Sequence, residues 1–159
     1  MAPSTTVRDL RLTDLADVAW AGSPTHLRHV RHEIARAEAG EVDYLAVCHD
    51  GRILGIGAVD YAKHPGAGYL WQLSVHPDHQ SQGLGTALIA ALERRAATHG
   101  ATTTCLSVET DNPRARQLYE RLGYVAVGTS TDSWDEELPD GSVRRHDARC
   151  TDMRKDLSA

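Results

Sequence analysis

The sequence predicts a mixed α/β domain whose sheet combines antiparallel and parallel strands. Two strand-like runs flank Asp50 and Gly51, a dipeptide that strongly favours a tight antiparallel hairpin. An amphipathic helix separates the strand-like runs 69–75 and 102–108, and this order favours a parallel pair joined by a right-handed crossover. With 159 residues, of which 41% are hydrophobic and 25% charged, the chain has the size and composition of one domain with a sizeable core. We therefore expect a single domain over 1–159.

The first elements are a strand and two helices that precede the hairpin. Residues 5–12 form a strand-like run, after which Thr13 is expected to cap a short amphipathic helix. Ser23 and Pro24 are an N-cap and first-turn pair for a second helix, whose apolar residues recur at helical spacing until Gly40.

The later elements continue the alternation of strands and helices. Their predicted order after the strand 69–75 is a helix from Leu84 to a cap at His99 and Gly100, the strand 102–108, a helix from Pro113 to Gly123, and strands at 124–128 and 144–157. The segment 131–141 connects the last two strands and carries five carboxylates around Trp134. We expect a solvated hairpin loop there, because charge runs usually face water; the alternative is that it borders a cleft for a cationic amine.

Charge, hydropathy and cysteine content argue against several classes of function. A formal net charge of −5 disfavours nucleic acid as the main partner. No apolar run approaches the roughly 20 residues that span a bilayer, and the first residues do not have the profile of an export signal, so we expect a cytoplasmic protein with no membrane partner. The three cysteines are widely spaced in apolar strand-like runs, which indicates buried thiols rather than disulfides or a zinc site.

A glycine-rich segment, 76–89, joins a predicted strand to the helix that follows it. The first turn of such a helix offers unpaired backbone N–H groups and the positive end of the helix dipole, which together suit a phosphate. Gly83 and Gly85 allow a ligand to approach the backbone closely because they have no Cβ. Leu88 stands where the dinucleotide fingerprint needs a third glycine, and the Lys-Ser/Thr pair of a P-loop is absent. Residues 81–86 are therefore predicted to hold another phosphate-bearing ligand, with a tight strand-to-helix turn as the alternative.

The wider context of these glycines resembles a known family. The spacing Gln80-x-x-Gly83-x-Gly85, after a strand and before an amphipathic helix, resembles the acetyl-CoA signature of the GNAT superfamily of N-acetyltransferases. That superfamily's second segment, Asn-x-x-Ala-x-x-x-Tyr followed by a Gly-aromatic pair, is matched by Asn112, Ala115, Tyr119, Gly123 and Tyr124. Two motifs in the right order, with a strand between them, are more specific than either one alone.

The resemblance implies a fold and a cofactor. The fold is a mostly antiparallel sheet with a splayed, parallel central pair of strands and helices on both faces. The cofactor is acetyl-CoA, whose pantetheine arm would enter between the splayed strands and pair with the backbone of the first. Asn112 is given a cofactor contact on this basis, and its alternative role is to cap the helix that begins at Pro113. The residues implied to bind coenzyme A are Leu73, Ser74, Val75, Gln80, Ser81, Gln82, Gly83, Leu84, Gly85, Thr86 and Asn112.

The resemblance also implies a reaction, the direct transfer of an acetyl group to a primary amine of a small molecule or peptide, with no metal. The backbone N–H of Leu73 is the implied donor to the thioester oxygen. Tyr119 is the implied catalytic acid that protonates the departing thiolate, and a core tyrosine with a satisfied hydroxyl is the alternative. Family members are often dimers, so a homodimer is left open.

The general base is where this sequence departs from the family. Branches of the family carry a glutamate in either the first or the second splayed strand, and Tyr69 and Ser107 stand at those two positions. The substitutes are Glu109, Asp60, His64 or a water relay.

A weak base restricts the choice of acceptor. At pH 7, deprotonating a lysine-like amine costs about 4 to 5 kcal/mol, whereas an α-amine costs only about 1 kcal/mol. An acceptor with a low amine pKa is therefore favoured. The missing glutamate also motivates a second hypothesis, a non-catalytic domain that binds or senses acyl-CoA.

Overall fold

The computed structural model describes residues 5–157 and contains a seven-stranded sheet in the order β1-β2-β3-β4-β5-β7-β6. The strands are β1 (Thr5–Asp9), β2 (Val42–His49), β3 (Arg52–Asp60), β4 (Ala67–Val75), β5 (Thr103–Glu109), β6 (Val125–Glu137) and β7 (Val143–Asp156). The α-helices are α1 (Pro24–Glu38), α2 (Leu84–Thr98) and α3 (Pro113–Arg121), and two 3₁₀ helices span Leu12–Ala21 and Pro77–His79. All neighbouring strands pair antiparallel except β4 and β5, which confirms the predicted mixed sheet.

The parallel pair at the centre of the sheet separates along its length. β4 and β5 pair only at Ala67–Tyr69 with Thr103–Cys105, although both strands continue beyond these positions. A β-bulge contributes to the separation, because Gln72 and Leu73 together lie opposite a single residue of β3, and Gln72 has a φ of 52°. The splayed pair is thus confirmed, and its open end lies at the carboxyl ends of both strands.

The helices cover both faces of the sheet. α2 and α3 pack on the face that carries Leu45 and Val47 of β2, which we call the α2 face. α1 and the first 3₁₀ helix pack on the opposite face, which carries Tyr44 and Ala46 and which we call the α1 face. This alternation of side chains along β2 is the period of two expected for a strand. Within residues 5–157, none of the helices is long and apolar enough to cross a membrane.

Most predicted boundaries agree with the structure, but the first helix does not. It is a 3₁₀ helix rather than an α-helix, and it begins at Leu12. Thr13 is therefore not its cap, and that prediction was wrong. The Asp14 carboxylate takes this role, because it accepts a hydrogen bond of 2.9 Å from the Arg11 amide and is held by the Arg8 guanidinium at 2.8 Å.

The acidic segment 131–141 is also different from the predicted loop. β6 extends through it to Glu137, whose partner on β7 is Val143, so only the residues between these two strands form a turn. Cross-strand charge pairing explains the difference, because Glu136 on β6 lies 3.0 Å from the Arg144 guanidinium on β7. Asp135 and Glu136 thus lie opposite arginines of the neighbouring strand, and Glu137 accepts hydrogen bonds from Thr25 of α1, so the charge run is accommodated as a strand.

Candidate active site

A cavity of about 540 Å³ lies on the α2 face, at the open end of the splayed strands. Most residues predicted to bind coenzyme A line it, together with Tyr119: Leu73, Ser74, Val75, Gln80, Ser81, Gly83, Gly85, Thr86 and Asn112. The exceptions are Gln82, which is exposed, and Leu84, whose side chain is buried in the core. The structure therefore brings the loop, the end of β4 and the start of α3 to one place.

The start of α2 presents unpaired amides to this cavity. Gly83 is the N-cap residue, and its φ of 83° is a left-handed conformation that favours glycine. The first hydrogen bond of the helix runs from the Ala87 amide to the Gly83 carbonyl at 3.0 Å. The three amides between these residues have no acceptor within the helix, so they can donate to an anion, which the helix dipole also favours.

Gly85 is not required by the packing of the protein itself. Its φ is not in the left-handed region, and a Cβ added there would lie 3.6 Å from Leu118 Cδ2 and 3.7 Å from Val75 Cγ2. These are ordinary van der Waals distances, so alanine would fit. Because both neighbours line the cavity, the missing side chain keeps the cavity wall open for a ligand that approaches the backbone.

Two arginines that were not predicted from the sequence, Arg114 and Arg121, add positive charge to the cavity. Arg114 on α3 donates a hydrogen bond of 3.1 Å to Gln80 Oε1 and a second one to Ser81 Oγ. It therefore ties α3 to the loop, while Arg121 lines the cavity from the same helix. The signal was present in the sequence, because Arg114, Leu118 and Arg121 share one helix face at i, i+4 and i+7.

Asn112 takes the capping role that was its alternative. Its Oδ1 accepts a hydrogen bond of 3.2 Å from the Ala115 amide and so caps α3. The side-chain oxygen is therefore committed within the protein, although Asn112 remains part of the cavity wall.

Tyr119 has the properties of a proton donor. Its ring packs edge-on against Tyr124, with the centroids 6.2 Å apart, and its hydroxyl makes no hydrogen bond within the described part of the chain. Burial raises the pKa of Tyr119, so its phenol is protonated at neutral pH. Tyr124, in contrast, bonds through its hydroxyl to Thr104 at 2.8 Å and to Glu93 at 2.8 Å. A satisfied core hydroxyl is thus the arrangement at Tyr124 and not at Tyr119.

The three candidate bases have different surroundings. Asp60 is buried, and although burial raises its pKa, hydrogen bonds from the Ala62 amide and from Arg36 lower it below the usual range. His64 is exposed and lies edge-on to Tyr69, with the ring centroids 5.7 Å apart.

Glu109 is the last residue of β5, at the open end of the splayed pair. Burial and the nearby carboxyl of Asp111 raise the pKa of Glu109. Of the three, only Glu109 combines this location with a carboxyl whose pKa is moved towards neutral pH.

Comparison with known proteins places the chain in a family. A family model described as the acetyltransferase (GNAT) family matches residues 9–124. A mycothiol acetyltransferase of Mycobacterium leprae is 35% identical over 144 residues, an alignment that covers 79% of this chain and 46% of that protein. The chain thus spans about half the length of this relative.

Solved structures show the same fold. The ribosomal-protein-S18-alanine N-acetyltransferase from Escherichia coli has a TM-score of 0.69 at 21% identity, over 98% of this chain and 96% of that one. The PaiA N-acetyltransferase from Thermoplasma acidophilum, in complex with coenzyme A, has a TM-score of 0.70 at 15% identity, over 96% of this chain and 99% of that one. These structures share the fold of this chain, and the family model that matches residues 9–124 shows that the chain belongs to the GNAT family of acetyltransferases.

Proposed function

We propose that this protein transfers the acetyl group of acetyl-CoA directly to a primary amine of a small molecule or peptide. One observation carries the proposal. Unpaired amides at the start of α2, the unpaired edge of β4 and the free hydroxyl of Tyr119 all line the same cavity. These are, respectively, groups that can hold a diphosphate, a peptide-like arm and a departing thiolate.

The residues of the cavity fit coenzyme A. The amides after Gly83 and the guanidinium of Arg114 would hold the diphosphate, and the backbone of β4 from Leu73 to Val75 would pair with the pantetheine arm. The open wall at Gly85 agrees with a ligand that lies against the backbone. When bound, this cofactor supplies an acetyl group activated as a thioester.

The side chains and backbone of the site can then assist the transfer. As the amine nitrogen forms a bond to the carbonyl carbon and the carbon–sulfur bond breaks, the Leu73 amide would donate a hydrogen bond to the carbonyl oxygen. The bulge puts Leu73 out of register with β3, which leaves this segment less committed to the sheet. Tyr119 would give its proton to the sulfur, and Glu109 would accept the proton of the amine, directly or through water.

The decisive experiment separates binding from chemistry. Titration calorimetry with acetyl-CoA measures binding, and thiol release with a panel of amines measures turnover. Tyr119→Phe is expected to lower kcat by about 10²- to 10⁴-fold and to leave the Kd for acetyl-CoA unchanged. Tyr124→Phe is the matched control, because it removes a neighbouring hydroxyl that is already hydrogen-bonded.

Two outcomes would contradict the proposal. The absence of acetyl-CoA binding at high micromolar concentration would rule out the cofactor assignment. Binding without turnover on any amine would instead support the non-catalytic hypothesis, which rests on Tyr69 and Ser107 at the two glutamate positions.

A further inference from the structure

A second cavity, of about 600 Å³, lies on the α1 face of the sheet, opposite the cofactor cavity. We propose that it binds the acceptor, and that the acceptor is an amine that also carries a carboxylate, of about the size of a dipeptide. This inference rests on the proposed function and specifies the substrate class for it. It is carried by charged groups of opposite sign that line this cavity: the carboxylates of Asp152 and Asp132 towards the open end, and Lys63 and Arg154 farther from it.

The anionic end of the cavity is a carboxylate that the fold holds in place. Asp152 Oδ1 on β7 accepts hydrogen bonds from Ser107 Oγ at 2.8 Å and from Ser130 Oγ at 2.7 Å. Its other oxygen, Oδ2, has no hydrogen-bond partner, and no cation lies within 4.0 Å of either oxygen among residues 5–157. A fixed carboxylate with a free oxygen is suited to receive an ammonium group.

The cationic end is formed by Lys63 and Arg154. Lys63 Nζ lies 3.9 Å from the centroid of the Tyr69 ring, which restrains it over the cavity wall, and it makes no ion pair within the described ranges. Arg154 on β7 lies opposite Cys105 of β5, and among residues 5–157 its one ion pair is a loose contact of 3.7 Å with Asp156 of its own strand.

The thiol of Cys105 lies in the wall of the same cavity as these charged groups. Burial raises the pKa of the Cys105 thiol. The positive charges of Lys63 and Arg154 oppose this rise, and the negative charge of Asp152 adds to it. All three charges therefore act on one thiol in the cavity wall.

The strand register sets the distance and the direction between the two ends. Asp152 lies opposite Ser107, and Arg154 lies opposite Cys105, two residues further from the open end of the splayed pair. Two residues of a strand span roughly 7 Å. The carboxylate of Asp152 is therefore nearer to the reacting centre, and the cations are farther away by about the length of a dipeptide.

This arrangement selects against polyamines. An amine held at Asp152 would direct the rest of the molecule towards Lys63 and Arg154, where a second ammonium group would be repelled and a carboxylate attracted. The chemistry of the cavity therefore fits a zwitterionic amine and not a dication.

The test compares substrates that differ only in this charge. Thiol release is measured with alanylalanine, with alanylalaninamide, which has the same shape without the carboxylate, and with spermidine. We expect kcat/KM to be about five- to tenfold higher for alanylalanine than for its amide, since Lys63 and Arg154 are exposed and their attraction is partly screened. Lys63→Met should lower kcat/KM for alanylalanine by a similar factor. Arg94→Met, which removes an exposed cation from α2 on the other face, is the control for net charge.

Asp152→Asn tests the anionic end. It should lower kcat/KM for every amine by about tenfold or more, while the Kd for acetyl-CoA stays the same because the cofactor cavity lies on the other face. Calorimetric binding of alanylalanine to the coenzyme A-loaded protein provides a measurement that does not depend on turnover.

The failure of this inference can be distinguished from the failure of the proposed function. Equal kcat/KM for alanylalanine and its amide, a preference for spermidine, or no binding of alanylalanine would overturn the inference. Acetylation of any amine in those cases would leave the proposed function standing.

Discussion

Gly85→Ala should make the protein more stable and bind its cofactor more weakly. The added methyl group meets Leu118 and Val75 only at 3.6 and 3.7 Å, so it creates no clash within the protein. Replacing a helical glycine that is not in a left-handed conformation stabilises by about 0.4 to 1 kcal/mol, which corresponds to a rise in Tm of about 1 to 4 °C for a chain of this size. The same methyl group keeps the diphosphate away from the amides of α2, and losing about 0.3 to 2 kcal/mol of that contact weakens Kd by about 2- to 30-fold.

Two measurements on the same variant check this prediction. Thermal unfolding without cofactor gives the change in stability, and titration calorimetry gives the Kd for acetyl-CoA. Ala90→Gly, in the middle of the same helix, is the control because it changes helix propensity away from the cavity and should lower Tm without affecting Kd. An unchanged Kd for Gly85→Ala would refute the view that a diphosphate lies against this backbone, whatever the change in Tm.

Three further predictions concern charged residues. Arg114→Ala should weaken acetyl-CoA binding by about 3- to 30-fold, and Arg116→Ala, an exposed control on the same helix, should not; equal Kd values would exclude a phosphate contact. Glu109→Gln should lower kcat/KM by about 10²-fold or more and leave the Kd for acetyl-CoA unchanged, because the amide cannot accept the proton of the amine; an unchanged kcat/KM would exclude Glu109 as the base. Asp60→Asn should lower the free energy of unfolding by about 0.5 to 1.5 kcal/mol at pH 7, since Arg36 loses the Asp60 carboxylate but keeps its ion pairs with Glu33 and Glu41. The folded-state pKa of Asp60 is lowered, so this contribution is present above the unfolded-state pKa of about 3.9 and is lost as the pH falls through the folded-state pKa. A difference that stays constant down to pH 2 would contradict this account.

The elements that the sequence predicted well have local causes. The turn at Asp50 and Gly51 needs two residues with positive φ, and both have it, at 50° and 79°. The cap of α1 is likewise formed within a few residues, because Ser23 Oγ accepts a hydrogen bond of 3.2 Å from the His26 amide. Such local interactions do not depend on the rest of the chain, so they can be predicted from a short stretch of sequence.

The incorrect predictions all depended on distant partners. The acidic segment forms a strand because arginines of β7 lie opposite it, and these are separated from it by the turn. The cap at Asp14 depends on Arg8, which belongs to another element. In the site, Arg114 was missed because its role depends on contacts with Gln80 and Ser81, more than thirty residues earlier.

The sequence by itself determined the order of the elements, the family and the position of the glycine-rich loop, because these depend on turn chemistry, periodicity and two short motifs. Only the tertiary structure decided which residues line the cavity proposed for the acceptor. Lys63, Ser107 and Asp152 come from three separate parts of the chain and meet in one cavity. Strand register sets their spacing, and register arises from the packing of the whole sheet rather than from any single segment.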